Sequence, residues 1–245
     1  TPQRLHPAAE SFRYSFLQRP APPRRGTPDP PSRSGSSKDG DDSLIREIKT
    51  QLATHTAQFG RLPETRLQFY QIVKLIGKGA FGKVYLGLQR LTNRLVAIKF
   101  IEKASFEDAA QKRKMLAEVG ILGRLSHPNV IHLLEVFENR RFMFVVMEYA
   151  AKGDLLKLLN RSPLFAETRV RAYFAQIAAG LEYVHQRGIV HRDVKLDNVL
   201  VDEDDRCKIC DFGVSRPVAP GEVLLEQCGT PAYVSPEIVL ERGYQ

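Results

Sequence analysis

Apolar residues recur along the chain at two spacings, which predict strands in one part and helices in another. Short runs rich in β-branched and apolar residues predict strands over residues 71–76, 85–88 and 142–147. Apolar residues three and four positions apart predict helices over residues 106–125 and 167–187. The pattern therefore predicts a protein of the α+β class, with a β-rich part that precedes a helical part.

The helix over residues 167–187 has the clearest periodicity. Its apolar residues are separated by steps of four, three, four and three, and we expect this face to be buried. Gly188 follows as a natural C-terminal stop. The apolar residues of this face are Val170, Phe174, Ile177, Leu181 and Val184.

The first 43 residues contain eight of the fifteen prolines, and serine, glycine and arginine fill much of the rest. Such a segment buries too little apolar surface to offset its chain entropy, so we predict a disordered tail. Residues 20–25 resemble a polyproline II ligand for a regulatory partner, but a solvated linker is the favoured interpretation.

Residues 44–68 are predicted to form a short helix followed by a linker. Leu44, Ile45, Ile48 and Leu52 make one apolar stripe, and residues 41–43 are suitable for capping the N-terminus. Two alternatives remain open at this point: the helix docks on the domain that follows, or it is marginal and frays.

Composition narrows the classes of function. The 245 residues carry a formal net charge of +8, without the aromatic-interleaved basic patch or the zinc spacing of a nucleic-acid binder. The sequence has no apolar run of membrane-spanning length and no visible secretory signal, so we expect no membrane partner. Three cysteines make no disulfide framework, which favours a cytoplasmic location, with the nucleus as the alternative.

Residues of the types that perform catalysis and bind metals are concentrated in residues 191–213. An acid, a lysine and an amide occur at Asp193, Lys195 and Asn198, and Asp211 follows a pattern that predicts a hairpin of two short strands. A hairpin brings its ends together, so Asn198 and Asp211 should lie side by side. Two such oxygen ligands suit Mg²⁺, which proteins hold with few groups of their own together with substrate phosphates.

This stretch resembles the catalytic loop and metal-binding turn of eukaryotic-type serine/threonine protein kinases. The resemblance implies that Asp193 accepts the proton of the substrate hydroxyl and that Asn198 and Asp211 hold Mg²⁺ against the phosphates of ATP. Lys195 and Thr230 match the lysine and threonine that such kinases place beside the catalytic acid.

Earlier motifs extend the resemblance. Residues 77–84 match the glycine-rich phosphate loop, and residues 96–99 match the strand whose Lys99 contacts the phosphates and pairs with a helical acid, here Glu118. Residues 148–150 resemble the hinge that joins the two lobes. The ATP-binding residues that the resemblance implies are Ile76, Gly77, Lys78, Gly79, Ala80, Phe81, Gly82, Val84, Ala97, Lys99, Met147, Glu148, Ala150, Asp154 and Leu200.

The resemblance covers residues 69–245 and implies a bilobal kinase domain whose small lobe is β-rich with one helix. We expect the chain to be a piece of a longer kinase, because the helices that complete the large lobe in the family would follow residue 245. The features of residues 77–87 and 228–233 are similar to the calcium/calmodulin-dependent and AMP-activated branch.

The function that we expect is ATP-dependent transfer of a phosphoryl group to serine and threonine hydroxyls of proteins. Asp154 and Asp197 match positions at which related kinases carry acids that favour basic substrates. Glu226 occupies the position where many relatives carry an activating phosphothreonine, and Arg192 is the usual partner of that phosphate. Two alternatives stay open for Glu226: it binds Arg192 permanently, or it is an exposed loop residue without a partner. The alternative is a truncated or regulatory nucleotide-binding module without catalysis.

Overall fold

The computed structural model describes residues 38–59, 65–79, 82–106, 109–162 and 164–244. Residues 1–37 of the predicted tail, as well as the predicted loop residues Ala80 and Phe81, lie outside these ranges, whereas residues 38–43, also predicted to be disordered, are helical. The chain divides into two compact units. The first is formed by residues up to Phe106 with Leu134–Tyr149, and the second by Glu107–Leu133 with Ala150–Gln245.

A five-stranded sheet with the order β1-β2-β3-β5-β4 dominates the first unit. The first three strands form consecutive antiparallel pairs, and β3 also pairs with β5. The α+β class is confirmed, and the three strands predicted from the sequence are present within β1, β2 and β5. The strands are β1 (Tyr70–Gly79), β2 (Gly82–Gln89), β3 (Arg94–Glu102), β4 (Leu133–Glu138) and β5 (Phe142–Glu148).

One helix, α1 (Lys38–Phe59), precedes this sheet and packs on it. Of the two alternatives that the sequence left open, the structure shows the docked helix, because Ile48 is fully buried in the core of the first unit while Leu44 and Leu52 pack against that core. The predicted cap at residues 41–43 is wrong, since the helix begins at Lys38 and already contains those residues.

The second unit contains the remaining helices and two small sheets. The sheets have the orders β6-β8-β9 and β10-β7. The predicted hairpin is confirmed, with Val199 paired with Ile209 and Val201 paired with Cys207. The elements are α2 (Ala109–Leu122), α3 (Leu155–Arg161), α4 (Glu167–His185), α5 (Pro236–Val239), β6 (Gly153–Asp154), β7 (Ile189–Val190), β8 (Val199–Val201), β9 (Cys207–Ile209) and β10 (Arg216–Pro217).

Helix α2 is shorter at both ends than the predicted 106–125, while α4 agrees with its prediction to within two residues at the C-terminus. The apolar face of α4 is only partly buried. Val184 is fully buried, but Val170 is 49% exposed and Phe174 is 73% exposed. Gly180 of α4 instead approaches the backbone of Asn129 closely, so the helix packs through its small residue. Among the described residues, no helix has the length and apolarity to cross a membrane.

Candidate active site

The carboxylate of Asp193 is the centre of a hydrogen-bond network in the second unit. Its Oδ1 accepts from the backbone N of Thr230 at 2.9 Å and from Thr230 Oγ1 at 2.7 Å. Its Oδ2 lies 2.9 Å from both Lys195 Nζ and Asn198 Nδ2. Lys195 Nζ also donates to Thr230 Oγ1 at 2.6 Å. The structure therefore brings together four residues that the sequence had singled out.

The network sets the charge state of Asp193. Burial alone would raise the pKa of this carboxyl, but the hydrogen bonds from Thr230, Lys195 and Asn198 outweigh it and hold the pKa below its ordinary value. The hydrogen bond to Asp193 in turn raises the pKa of Lys195. Asp193 is thus an anion at neutral pH with a cation directly beside it.

The two predicted metal ligands lie at the ends of the β8–β9 hairpin. The backbone N of Cys210 donates to the carbonyl of Asn198 at 2.9 Å, which fixes the residue before Asp211 beside Asn198. The amide Nδ2 of Asn198 donates to Asp193, so its Oδ1 is the atom left as an acceptor. An amide oxygen and an exposed carboxylate fit Mg²⁺, a hard cation that takes its remaining ligands from phosphates and water.

The catalytic loop has unusual backbone conformations on both sides of the hairpin. Arg192 has φ 68° and Asp211 has φ 63°, values that non-glycine residues rarely adopt and that the surrounding structure must maintain. His191 supplies part of that support, since it is buried, its Nε2 lies 3.0 Å from the Cys210 carbonyl, and its ring packs edge-on against Phe212. Burial lowers the pKa of His191, so the ring is neutral.

The segment after Asp211 is anchored to the catalytic loop by charge. Arg192 Nη1 lies 2.5 Å from Glu226 Oε2, and Arg192 Nε donates to the carbonyl of Val214 at 2.6 Å. Arg216 Nη1 lies 3.2 Å from the other carboxylate oxygen of Glu226. The hydrogen bond from Arg192 holds the pKa of Glu226 below its ordinary value. The predicted contact between Glu226 and Arg192 is therefore present.

Sequence reasoning missed two members of this cluster. Arg216 also binds Glu222 at 2.5 Å, and Tyr244 Oη donates to the carbonyl of Glu226 at 2.9 Å. Arg216 follows the Asp-Phe-Gly turn by three positions, and its only sequence signal was the opposite charge of the acids downstream. Tyr244 gave no signal, because its contact depends on the bridge between its backbone and that of Leu224.

The phosphate-loop candidates in the first unit lie where β1 and β2 meet. Gly77 is paired with Val84, Lys78 with Lys83, and Gly79 with Gly82. A Cβ on Gly82 would lie 2.0 Å from the carbonyl of Phe100, so only glycine fits so close to β3. A Cβ on Gly79 would lie 4.0 Å from Cε of Lys99. The side chain of Lys99 therefore approaches the glycine-rich turn.

Further candidates of the first unit lie on the same strands. Ala97 of β3 is paired with Met147 of β5, and Lys99 is paired with Val84 and Val145. Successive residues of a strand face opposite sides, so Ala97 and Lys99 share one face of the sheet. The remaining candidates, Ile76 and Glu148, lie in β1 and β5 and are half-buried.

The other candidates belong to the second unit. Glu118 of α2 is buried, and its Oε2 lies 3.6 Å from the position of a Cβ on Gly213. Its predicted ion pair with Lys99 joins the two units and stays a prediction. Asp154, expected near a ribose, caps α3 by accepting from the backbone N of Lys157 at 2.8 Å, and is paired in the β6–β8 ladder with Leu200. Ala150 is buried.

Comparison with known proteins places these motifs in a family. Residues 70–245 match the protein kinase domain. The chain is 39% identical over 176 residues to the NUAK family SNF1-like kinase 1 of Mus musculus, covering 72% of this chain and 27% of that protein. It is 39% identical over 183 residues to the probable serine/threonine-protein kinase MARK-A of Dictyostelium discoideum, covering 74% of this chain and 17% of that protein.

A plant protein is similar to the same extent. The chain is 41% identical over 178 residues to CBL-interacting protein kinase 30 of Oryza sativa subsp. japonica, covering 71% of this chain and 37% of that protein. The chain thus spans well under half the length of these curated relatives. The similarity to serine/threonine kinases of the calcium/calmodulin-dependent and AMP-activated branch is confirmed. This chain therefore belongs to the protein kinase domain family.

Proposed function

We propose that the protein transfers the γ-phosphoryl group of ATP to serine and threonine hydroxyls of protein substrates. The observation that carries the proposal is the Asp193 carboxylate, held by Thr230, Lys195 and Asn198 within 2.7–2.9 Å. Positioning and charge stabilisation do most of the work in phosphoryl transfer, and this network supplies both on one side chain.

Asp193 would orient the substrate hydroxyl and take its proton late in the reaction. A carboxylate whose pKa is held below its ordinary value is a weak base, so it accepts the proton only as the bond from oxygen to phosphorus forms. Lys195, which already contacts Asp193 at 2.9 Å, would offset negative charge that develops beside it. Thr230 would keep the carboxylate in place through its two hydrogen bonds.

Candidate residues for binding the nucleotide and the metal occur in each of the two units. Lys99 lies beside the glycine-rich turn and would neutralise phosphate charge, while the backbone of Gly77, Gly79 and Gly82 would lie close to the phosphates. Asn198 and Asp211 would bind Mg²⁺, which supplies charge neutralisation at the transferred phosphoryl group.

We propose that Asp197 selects substrates with basic residues near the acceptor. The side chain of Asp197 is exposed to solvent. An arginine of a bound peptide would therefore reach this carboxylate without first displacing a buried partner. Asp154 is a weaker candidate than its sequence position suggested, because Lys157 Nζ lies 2.7 Å from its second oxygen and the side chain already caps α3. Peptide arrays should show an arginine preference that falls in Asp197→Asn.

We further propose that basal activity does not require phosphorylation of the segment that contains Glu226. The carboxylate already accepts from Arg192 and Arg216, as a phosphate group would. The protein would work in the cytoplasm, with the nucleus as the alternative, since its three cysteines are free and suit a reducing compartment. For the proline-rich tail a solvated linker stays the favoured interpretation, with a ligand for a regulatory partner as the alternative.

The test is phosphoryl transfer to a serine peptide by the full-length protein from which this chain comes. Asp193→Asn should abolish most turnover while leaving nucleotide affinity within a few-fold, and Lys99→Met should lower both. The matched control is Asp204→Asn, which makes the same change in the β8–β9 turn. Nucleotide binding without turnover in the unmodified protein would instead identify a non-catalytic nucleotide-binding module.

A further inference from the structure

The helix α1 (Lys38–Phe59) lies outside the matched kinase domain, yet it completes the core of the first unit. Its contacts come from a stripe of three apolar residues spaced four apart, Leu44, Ile48 and Leu52, which face one side of a helix. Ile48 has no exposed surface.

The surface that receives this stripe is the outer face of the five-stranded sheet. Val96 and Ile98 of β3 alternate with Ala97 and Lys99, so the two pairs face opposite sides of the sheet. Ile98 is paired with Val146, and both are fully buried in the cluster that contains Ile48. The helix thus covers the face opposite to that of Lys99.

The outer face would be strongly apolar without the helix. Aromatic side chains extend it along β4 and β5, with the ring of Phe144 4.8 Å from that of Phe137 and 4.9 Å from that of Phe100. An apolar surface of this kind on a monomer normally marks a binding site or becomes an aggregation risk. An amphipathic helix with apolar residues at positions i, i+4 and i+8 matches it chemically.

The attachment of α1 is small compared with its length. Among residues 42–58, whose burial the structure describes, only Ile48 is fully buried, while residues between the anchors, such as Lys49 and Gln51, are exposed. Thr50 and Gln51 make hydrogen bonds within the helix, to Arg46 and Glu47. Ordering 22 residues costs conformational entropy at every position, and isolated helices of this kind are marginal in water.

We infer that the outer face of the sheet is a docking surface for an amphipathic helix, that α1 occupies it in cis, and that α1 detaches while the sheet stays folded. The inference does not depend on the proposed phosphoryl transfer. It makes Ile48 the anchor of a reversible intramolecular contact, and it assigns a binding surface to the side of the sheet opposite Lys99.

The test is hydrogen exchange on the chain of 245 residues, followed by mass spectrometry of peptides from α1 and from β3. In the unmodified chain, α1 should be protected but should exchange at least about tenfold faster than β3, with a weaker dependence on urea. Ile48→Ala should accelerate exchange in α1 by a further factor of at least about ten, and leave β3 nearly unchanged.

Two further variants complete the design. Lys49→Ala is the matched control on the exposed side of the same turn and should leave exchange in α1 within about twofold of the unmodified chain. Ile48→Val keeps a smaller apolar anchor and should fall between the unmodified chain and Ile48→Ala, which keeps the test valid if the alanine variant does not fold.

Three outcomes would overturn the inference. If the amide hydrogens of α1 and β3 exchange at the same rate and with the same urea dependence, α1 unfolds together with the sheet and does not detach by itself. Absence of protection in α1 would mean that the helix is not docked. An equal effect of Lys49→Ala and Ile48→Ala would show that the apolar stripe is not the docking face.

Discussion

The hydroxyl of Thr230 offers a sharp test of the Asp193 network. Thr230→Val keeps the shape of the side chain but removes the hydroxyl that donates to Asp193 Oδ1 at 2.7 Å and accepts from Lys195 Nζ at 2.6 Å. The hydrogen bond from the backbone N of residue 230 to Asp193 remains. The substitution therefore removes two contacts to charged groups and leaves one in place.

The magnitude follows from the charge on the partners. A hydrogen bond to a charged group contributes about 1.5–3 kcal/mol, and the Asp193 and Lys195 side chains are only 15% and 20% exposed, so solvent screening is limited. If only the bond to Asp193 acts in the transition state, kcat/KM should fall by about 10- to 150-fold, since each 1.4 kcal/mol or so is a factor of ten.

A pH profile separates this effect from a general loss of structure. The hydrogen bond from Thr230 helps to lower the pKa of Asp193, so its loss raises that pKa. Asp193 acts as an anion, and activity falls as pH falls through its pKa; the acid limb of the profile should therefore move to higher pH in Thr230→Val. The assay is steady-state kinetics on a serine peptide from about pH 3 to about pH 8, a range that includes the pH at which an aspartate ordinarily titrates.

Thr230→Ser is the matched control, because it keeps the hydroxyl and loses only a methyl group. It should retain most activity and an unshifted acid limb. The reasoning is refuted if Thr230→Val is within twofold of the unmodified enzyme, or if Thr230→Ser is impaired as much as Thr230→Val.

Three other predictions concern stability and activation. Gly180→Ala should cost about 1–3 kcal/mol in urea unfolding because its Cβ would lie 2.8 Å from the Asn129 carbonyl, whereas Gly120→Ala, with open space around it, should stabilise by about 0.5–1 kcal/mol. Burial raises the pKa of Glu135 to about 7. The stability that this group contributes is therefore fully present below its unfolded-state pKa and is lost as pH rises through about 7. Thermal unfolding should show this loss, and Glu135→Gln should abolish it. Glu226→Ala should lower turnover of phosphatase-treated protein, while a loss of activity on phosphatase treatment of the unmodified enzyme would contradict the proposed role of Glu226.

The elements predicted best are those whose pattern depends on local periodicity. Three strands of the first sheet and the hairpin after Asn198 have short apolar runs bounded by turn residues, and these runs predict them. The pattern of α4 shows a limit of periodicity. Five apolar residues at helical spacing predict one face, but they do not show how much of that face is covered, and the close approach to Asn129 is made by Gly180, which is not one of the five.

The candidate site was predictable in its members but not in its contacts. The motif around Asp193 named Lys195, Asn198 and Thr230, yet the sequence could not show that all three donate to one carboxylate. Arg216 escaped notice because its position has no motif, and its contact with Glu226 depends on a loop that folds back. For Asp154 the sequence position suggested ligand binding, but the structure shows a different role. Its side chain caps α3, and this contact competes with binding of a ligand.

Arg192 and Asp193 are neighbours in the chain. The proposed base, Asp193, is therefore directly linked to a residue that contacts the segment after Asp211. The side chain of Arg192 binds Glu226, and the carboxylate of Asp193 binds Thr230. Residues 192–193 therefore contact the segment of residues 226–230 on both sides of Gly229. Gly229 lies between these two contacts with φ 109°, and a Cβ there would lie 2.8 Å from the carbonyl of Arg192. Because the backbone of residues 226–230 is held at both ends, a change in the Arg192–Glu226 contact should be transmitted to the Thr230 hydroxyl and thus to Asp193. The proposed control by Glu226 and the proposed chemistry of Asp193 are therefore two parts of one mechanically connected arrangement within the second unit.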